Sequence, residues 1–132
     1  MSPARPRVLI VEDENNIALA LETVLGREDW HLSRQSDGEA AWEAIRADPP
    51  DLVLLDVMLP GVSGYEICQR IRLDPALAAT RILMMTARGN AVERRKGLAL
   101  GADGFIAKPF DLRALMAEAR RLLAVAPNRA DA

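Results

Sequence analysis

Short apolar runs alternate with amphipathic segments along most of this chain. Residues 8–11, 52–55 and 82–85 are entirely apolar, which is typical of strands buried on both faces of a sheet. Residues 31–36 alternate only weakly between apolar and polar, which predicts a shorter or edge strand, and residues 105–107 predict a short last strand. The hydrophobic pattern therefore predicts five strands.

Segments with helical spacing separate these strands. Ile17, Leu21 and Leu25 stand at intervals of four residues before Gly26, which predicts an amphipathic helix that ends at the glycine. The other helices are predicted around residues 39–47, 67–71, 92–100 and 112–123. Strands that alternate with helices favour one parallel sheet with right-handed crossovers and helices on both faces. The predicted fold class is therefore α/β, built as (βα)5.

Composition and charge narrow the range of functions. The chain has 132 residues, a length that suits one domain. Its formal net charge is -2, which gives no indication of the basic surface that direct nucleic-acid binding needs. Its only cysteine, Cys68, excludes an intrachain disulfide, and no apolar run approaches the length of a membrane span. Residues 1–7 lack the apolar segment of a signal peptide. We therefore expect a cytoplasmic protein without membrane contact.

One folded domain accounts for most of the chain. We expect it to span residues 7–124, because the predicted strands and helices lie between these limits. Residues 1–6 then form an N-terminal extension. Residues 125–132 form a tail that we expect to be flexible, because its end carries no side chain suited to a core.

The conspicuous polar side chains lie at the carboxyl ends of the predicted strands. Glu12 and Asp13 follow the first strand, and Asp56 follows the third. Thr86 follows the fourth strand and Lys108 the fifth. In an open parallel sheet these ends meet at one crevice, where ligands bind. We therefore expect residues that are far apart in sequence to converge on a single site.

The residue types at this crevice indicate phosphoryl transfer. Carboxylates at close range either shift their pKa values or hold a cation, and an all-oxygen site without His or Cys suits Mg²⁺. Lysine and threonine side chains donate hydrogen bonds that suit phosphoryl oxygens. A carboxylate nucleophile, a metal ion and a lysine are together the groups that such a reaction uses.

The motifs that carry these residues also indicate a family. They are Val11-Glu12-Asp13-Glu14; the run from Leu54 through Asp56 to Pro60, with Gly61 and Gly64; Thr86-Ala87; and Gly101-Ala102-Asp103 through Phe105 to Lys108-Pro109-Phe110. In this order they resemble the receiver domain of two-component response regulators, of the chemotaxis-regulator kind, over about residues 7–123. The resemblance implies a flavodoxin-like, doubly wound sheet with strand order 2-1-3-4-5.

The resemblance also implies a role for each residue of the crevice. Asp56 would accept a phosphoryl group from the phosphohistidine of a sensor histidine kinase or a phosphotransfer protein. Asp13 and Asp56 would bind Mg²⁺ directly, together with the backbone carbonyl of Met58, and Glu12 would act through water. Lys108 would pair with a phosphate oxygen. The domain would catalyse its own phosphotransfer and slow autodephosphorylation, and would not be an enzyme for other substrates.

The same resemblance implies a conformational switch. Thr86 would hydrogen-bond the phosphoryl group and move toward it, and Phe105 would swing inward as Thr86 moves. The peptide bond between Lys108 and Pro109 would be cis, which would aim the lysine into the crevice. Some members have a tyrosine where this chain has Phe105, so here the movement would be sensed by packing alone.

Output would pass by protein contact to a downstream target protein or to an effector domain that this chain lacks. A phosphorylation-dependent dimer stays open as a further partner. The winged-helix branch of the family dimerises through charge pairs. Gly104 stands where that branch usually has an aspartate, and Glu118 where it usually has a basic residue, which disfavours a dimer of that type.

Each residue of the crevice also has a structural explanation when it is taken alone. Glu12 and Asp13 could favour a helix N-terminus. Asp56 could end a turn, Thr86 could cap a helix, and Lys108 could belong to a turn before proline. The motifs occur together in the family's order, with each of these residues at a strand end, and this combination favours the functional interpretation.

Rival functions lack residues that they would need. A phosphohydrolase of the haloacid dehalogenase type needs a second aspartate where Met58 stands. A flavin-binding module would place the flavin phosphate against acidic residues 12–14, which would repel it. The alternative from another class is a degenerate receiver that acts as an unphosphorylated interaction module, against which the complete set of residues speaks.

Overall fold

The computed structural model describes residues 5–87 and 91–124. Its strands are β1 (Arg7–Val11), β2 (His31–Gln35), β3 (Leu52–Asp56), β4 (Arg81–Thr86) and β5 (Gly104–Ala107). Its helices are α1 (Asn15–Leu25), α2 (Gly38–Ala47), α3 (Gly64–Leu73), α4 (Ala91–Ala99) and α5 (Leu112–Ala124), with a short 3₁₀ turn at Pro75–Leu77. The predicted tail, residues 125–132, and the first four residues of the N-terminal extension lie outside the described residues.

The strands form one parallel sheet in the order β2-β1-β3-β4-β5. This confirms the α/β fold class and the strand order that the resemblance implied. The weakly alternating strand β2 lies at an edge and has no fully buried residue, so it needs fewer apolar side chains than the central strands. The order reverses between β1 and β3, so the carboxyl ends of these two strands flank the crevice at which such sheets bind ligands.

The apolar runs supply both faces of the sheet. Alternate residues of a strand point to opposite faces, so Leu9 packs in the cluster with α2 and α3, whereas Val8 packs in the cluster with α1 and α5. Burial on both faces is the reason why the central strands contain few polar residues before their carboxyl ends.

Helix α4 has the weakest packing against this core. Gly97 is its one buried residue among those described, and Val92 and Leu98 are 64% and 42% exposed. A Cβ atom on Gly97 would lie 3.0 Å from Sδ of Met84 and 3.2 Å from Cδ2 of Phe105, so the glycine allows α4 to approach β5 closely. Few buried contacts imply a low local stability, so α4 is the helix that can move most easily.

Polar contacts from α3 hold α4 in place. The hydroxyl of Tyr65 donates a hydrogen bond to Glu93, and the Nζ atom of Lys96 lies 4.3 Å from the centroid of the Tyr65 ring. Burial, followed by the hydrogen bond to Glu93, raises the pKa of Tyr65 to about 12. These polar contacts therefore join α4 to α3 where apolar packing is sparse.

The titration of Tyr65 reports this contact directly, because it is the only tyrosine in the chain. We expect its phenolate absorbance to appear with a pKa of about 12 in the wild type. In Glu93→Gln the pKa should fall toward the ordinary value of about 10, because the negative charge beside the hydroxyl is removed. Glu66→Gln, on the same helix as Tyr65, is the matched control and should leave the titration unchanged. Equal pKa values in wild type and Glu93→Gln would contradict the contact.

Candidate functional site

Three carboxylates converge at the carboxyl ends of β1 and β3. Glu12 and Asp13 directly follow β1, and Asp56 is the last residue of β3. One carboxylate oxygen from each lies within 4.8 Å of the others. Glu12 and Asp56 are buried, whereas Asp13 is exposed to solvent. The sheet therefore brings together residues that are more than forty positions apart in sequence.

Hydrogen bonds and an ion pair hold both the carboxylate and the backbone of Glu12. Its Oε1 atom lies 2.7 Å from Nζ of Lys108, and its Oε2 atom accepts a hydrogen bond from the backbone N–H of Glu14 at 3.1 Å. Its own backbone N–H donates to the carbonyl of Gln35 at 3.1 Å. The guanidinium of Arg34 donates to its carbonyl oxygen. The contacts with Lys108 and with the N–H of Glu14 satisfy the fully buried carboxylate, and the other two hold the backbone of Glu12.

Asp56 occupies the floor of the crevice and is 3% exposed. Its Oδ1 atom accepts a hydrogen bond from the backbone N–H of Met58 at 3.1 Å, and its Oδ2 atom lies 3.2 Å from Nζ of Lys108. Burial, together with the charge of Glu12, raises the pKa of Asp56 to about 6, although Lys108 opposes this shift. The carboxylate is therefore more basic than an exposed aspartate and is still mostly ionised at neutral pH.

Gly64 allows the chain to pass close behind Asp56. A Cβ atom at this position would lie 2.2 Å from the backbone carbonyl oxygen of Asp56. Only glycine fits there without moving one of the two segments. The start of α3, where the N–H of Gly64 donates to the carbonyl of Val57 at 2.9 Å, therefore packs directly against the strand end that carries Asp56.

Lys108 reaches the crevice from the end of β5. Its backbone N–H donates to the carbonyl of Thr86 at 2.6 Å, and its peptide bond to Pro109 is cis. Burial lowers the pKa of Lys108, but the hydrogen bond to Glu12 and the charge of Asp56 outweigh it, so the net shift is upward. The site therefore keeps one ammonium group beside two buried carboxylates.

Thr86 and Phe105 lie on one face of the sheet beside this cluster. Thr86 is the buried last residue of β4 and pairs with Ala107 of β5, and Met84 pairs with Phe105. Residues two apart on a strand share a face, so Thr86 and Phe105 both face the side that α4 covers. Phe105 is half-buried there. The side chain of Met58, by contrast, is 72% exposed at the rim of the crevice.

The carboxylates suit a magnesium ion by their chemistry. Mg²⁺ is held by hard oxygen ligands, usually one or two carboxylates with phosphate oxygens and water. Glu12, Asp13 and Asp56 offer such oxygens within reach of one another. Two of these three carboxylates lie beside Lys108, so one ammonium group faces three carboxylates. The cluster therefore keeps a net negative charge that can bind a cation. The residues present could therefore hold this metal.

Arg34 is a residue of this site that the sequence did not reveal. It lies on the weakly patterned strand β2, where a single arginine is expected to face solvent. The only hint is its position near the carboxyl end of a strand that pairs with β1. Its contact with Glu12 depends on the direction of a long side chain, which the pattern of residues does not determine.

Comparison with known proteins identifies the family. Residues 8–120 match the family model described as the response regulator receiver domain. The chain belongs to this receiver-domain family. The family that the sequence motifs indicated is thereby confirmed, and the crevice described above lies within the matched residues.

Curated relatives of this receiver domain are transcriptional or response regulators by name. It is 41% identical over 118 residues to the phosphate regulon transcriptional regulatory protein PhoB of Rhizobium meliloti, covering 89% of this chain and 52% of PhoB. It is 38% identical over 122 residues to the response regulator ArlR of Staphylococcus epidermidis, covering 92% of this chain and 54% of ArlR. The chain thus spans about half the length of these relatives.

Solved structures share the fold of this receiver domain. The chemotaxis response regulator CheY4 of Vibrio cholerae superposes with a TM-score of 0.85 at 26% identity, over 90% of this chain and 99% of CheY4. The BeF3-activated N-terminal receiver domain of RstA from Klebsiella pneumoniae gives a TM-score of 0.82 at 29% identity, over 90% and 99% of the two chains. In the described part of the present domain, no helix has both the length and the apolar character needed to cross a membrane.

Proposed function

We propose that this receiver domain accepts a phosphoryl group on Asp56 in a reaction that depends on Mg²⁺. The donor is the phosphohistidine of a sensor histidine kinase or of a phosphotransfer protein. The observation that carries the proposal is the convergence of a buried, basic carboxylate, two further acidic residues and Lys108 at one strand-end crevice. A degenerate receiver would have no need for this combination.

Each residue of the crevice has a separate role in the reaction. A carboxylate oxygen of Asp56 attacks the phosphorus atom as the bond between phosphorus and the histidine nitrogen breaks. Asp13, Asp56 and the backbone carbonyl of Met58 would hold Mg²⁺, with Glu12 acting through water, and the ion would neutralise charge on the transferred group. Lys108, which lies 3.2 Å from Asp56, would leave Glu12 and pair with a phosphoryl oxygen.

Phosphorylation then changes the face that carries α4. The new group adds about -1.5 to -2 charge units at neutral pH. Thr86 hydrogen-bonds it and moves, and Phe105 turns inward as Thr86 moves. Because α4 has few buried contacts, it shifts at low cost. Phosphorylation thus biases an equilibrium between two states.

Output passes from this face to a protein target or to an effector domain of a longer regulator. The matched segment covers only 52% and 54% of the two cited relatives, which is consistent with such a domain in a longer regulator. We place the protein in the cytoplasm, with residues 7–124 as the receiver unit flanked by the extension 1–6 and the tail 125–132, and without nucleic-acid binding by this unit itself. Gly104 and Glu118 disfavour a phosphorylation-dependent dimer that relies on charge pairs at these positions.

Intact mass after incubation with acetyl phosphate tests the proposal. We expect the wild type to gain one phosphoryl group only when Mg²⁺ is present, and Asp56→Asn to gain none, because the nucleophilic oxygen is lost. Asp29→Asn, an exposed aspartate paired with Arg5, is the matched control and should behave as the wild type. No gain in a folded wild type would support the degenerate receiver, and a gain in Asp56→Asn would mean that another residue is the acceptor.

A further inference from the structure

Arg34 reaches from β2 to the acidic turn that follows β1. It pairs in register with Ile10, and its side chain extends past the strand end. Its Nε and Nη2 atoms lie 3.1 and 2.8 Å from the carbonyl oxygen of Glu12. Two donors of one rigid, planar group thus hold a single oxygen atom.

The oxygen that Arg34 holds belongs to the peptide between Glu12 and Asp13. This peptide is planar, so fixing its oxygen also fixes the nitrogen and Cα atoms of Asp13. The adjoining N–H of Glu12 is fixed as well, because it donates to the carbonyl of Gln35 on the same strand. Strand β2 therefore holds the acidic turn through both backbone groups of Glu12.

The backbone matters most for Asp13. The side chains of Glu12 and Asp56 are buried and contact Lys108, whereas that of Asp13 is exposed. An exposed side chain has few neighbours to hold it, so the position of its backbone decides whether its carboxylate can reach the other two. Its oxygen nevertheless lies within 4.8 Å of the oxygens of the other two.

We propose that Arg34 is a positioning residue for the cation site, which acts by holding the peptide between Glu12 and Asp13 so that the Asp13 carboxylate meets the metal ion. This inference rests on the proposed function, because it assumes that the three carboxylates bind Mg²⁺. The hydrogen bonds of Arg34 reach the backbone carbonyl of Glu12 and not the carboxylates that would bind the ion.

The positive charge of Arg34 and its positioning role affect the affinity for Mg²⁺ in opposite directions, which makes the proposal testable. Its positive charge repels a nearby cation, so a purely electrostatic role predicts tighter Mg²⁺ binding after the arginine is removed. A positioning role predicts weaker binding, because Asp13 is released. Changes to groups that orient metal ligands typically weaken metal affinity by about 10- to 100-fold.

Calorimetric titration of the unphosphorylated protein with Mg²⁺ separates these effects. We expect Arg34→Met to weaken binding by about tenfold, and Arg34→Lys, which keeps the charge and one donor group, to recover part of the loss. Arg120→Met removes an equal charge from a bidentate pair with Glu28 on the far side of the fold, and should bind as the wild type does. Thermal unfolding of each variant confirms that it is folded at the titration temperature.

A double-variant cycle decides whether Arg34 acts through Asp13. In an Asp13→Asn background, Arg34→Met should cause no further loss of affinity, because the ligand that it positions is already gone. Binding by Arg34→Met that is as tight as that of Arg120→Met, or an undiminished loss in the Asp13→Asn background, would overturn the positioning role while leaving the proposed function intact. A wild type that binds no Mg²⁺ would instead refute the proposed function, and the positioning role with it.

Discussion

Replacing Asp56 by asparagine is expected to raise the free energy of unfolding of the metal-free protein by about 1–3 kcal/mol at neutral pH. Asp56 is 3% exposed, and burial, with the charge of Glu12, raises its pKa from 3.8 to about 6. An ionised carboxylate in this position is therefore less favourable than it is in the unfolded chain. Asparagine keeps the shape of the aspartate side chain and removes its charge, but it also removes the attraction between that charge and Lys108.

The pH dependence of this increase in the free energy of unfolding follows from the direction in which the pKa of Asp56 is shifted. The folded protein binds the Asp56 proton more tightly than the unfolded chain does, so protonation stabilises the fold. That stabilisation is fully present below pH 3.8 and is lost as the pH rises to about 6. The advantage of Asp56→Asn should therefore be largest above this window and should disappear below it.

Urea denaturation in the presence of a chelator measures the change in the free energy of unfolding below pH 3.8 and above about pH 6. The matched control is again Asp29→Asn, whose exposed side chain should leave the free energy of unfolding within about 0.5 kcal/mol of the wild type. Destabilisation by Asp56→Asn at neutral pH would show that the attraction to Lys108 exceeds the cost of burying the charge. Such a result would contradict the raised pKa.

Replacing Lys108 by methionine is expected to have two large effects. The ammonium lies 2.7 Å from a Glu12 oxygen and 3.2 Å from an Asp56 oxygen, and both carboxylates are buried. Removing one partner of a buried ion pair leaves uncompensated charge and costs about 3–5 kcal/mol. Losing a donor that stabilises charge in the transition state slows reactions by about 10²–10³-fold. We expect losses of this size in stability and in the rate of phosphorylation by acetyl phosphate.

The stability effect can be assigned by combining the two substitutions. In an Asp56→Asn background the destabilisation caused by Lys108→Met should be smaller, because one buried carboxylate rather than two then lacks a partner. Phosphorylation rates are compared by intact mass at saturating Mg²⁺, with Arg120→Met as the control for loss of a positive charge. A Lys108→Met variant that is phosphorylated as fast as the wild type would exclude a role for this ammonium in the transfer.

The sequence by itself was sufficient for the fold and for the place of the site. Hydrophobicity is a property of each residue type, so entirely apolar runs such as residues 52–55 predicted strands covered on both faces, and the weak alternation of residues 31–36 predicted a shorter or edge strand. Polar residues at the carboxyl ends of parallel strands must meet at one edge, so the sequence predicts that Glu12, Asp56 and Lys108 lie together. Most boundaries moved by one or two residues, and the largest shift is at α3, which begins at Gly64, three residues before its predicted start. For example, α2 begins at Gly38, because the Asp37 carboxylate caps it by accepting a hydrogen bond from the N–H of Ala40 at 2.8 Å.

Only the tertiary structure decided how these groups pair. The simultaneous contact of Lys108 with Glu12 and Asp56, and hence the net shift in the pKa of Asp56, depends on distances of a few ångströms between strands that are far apart in sequence. The contact of Tyr65 with Glu93 and that of Arg34 with the Glu12 carbonyl depend on the rotamers of long side chains. Hydrophobic periodicity specifies which face a residue takes, but not which atom it meets there, because that choice is made by packing and hydrogen bonding in the assembled fold.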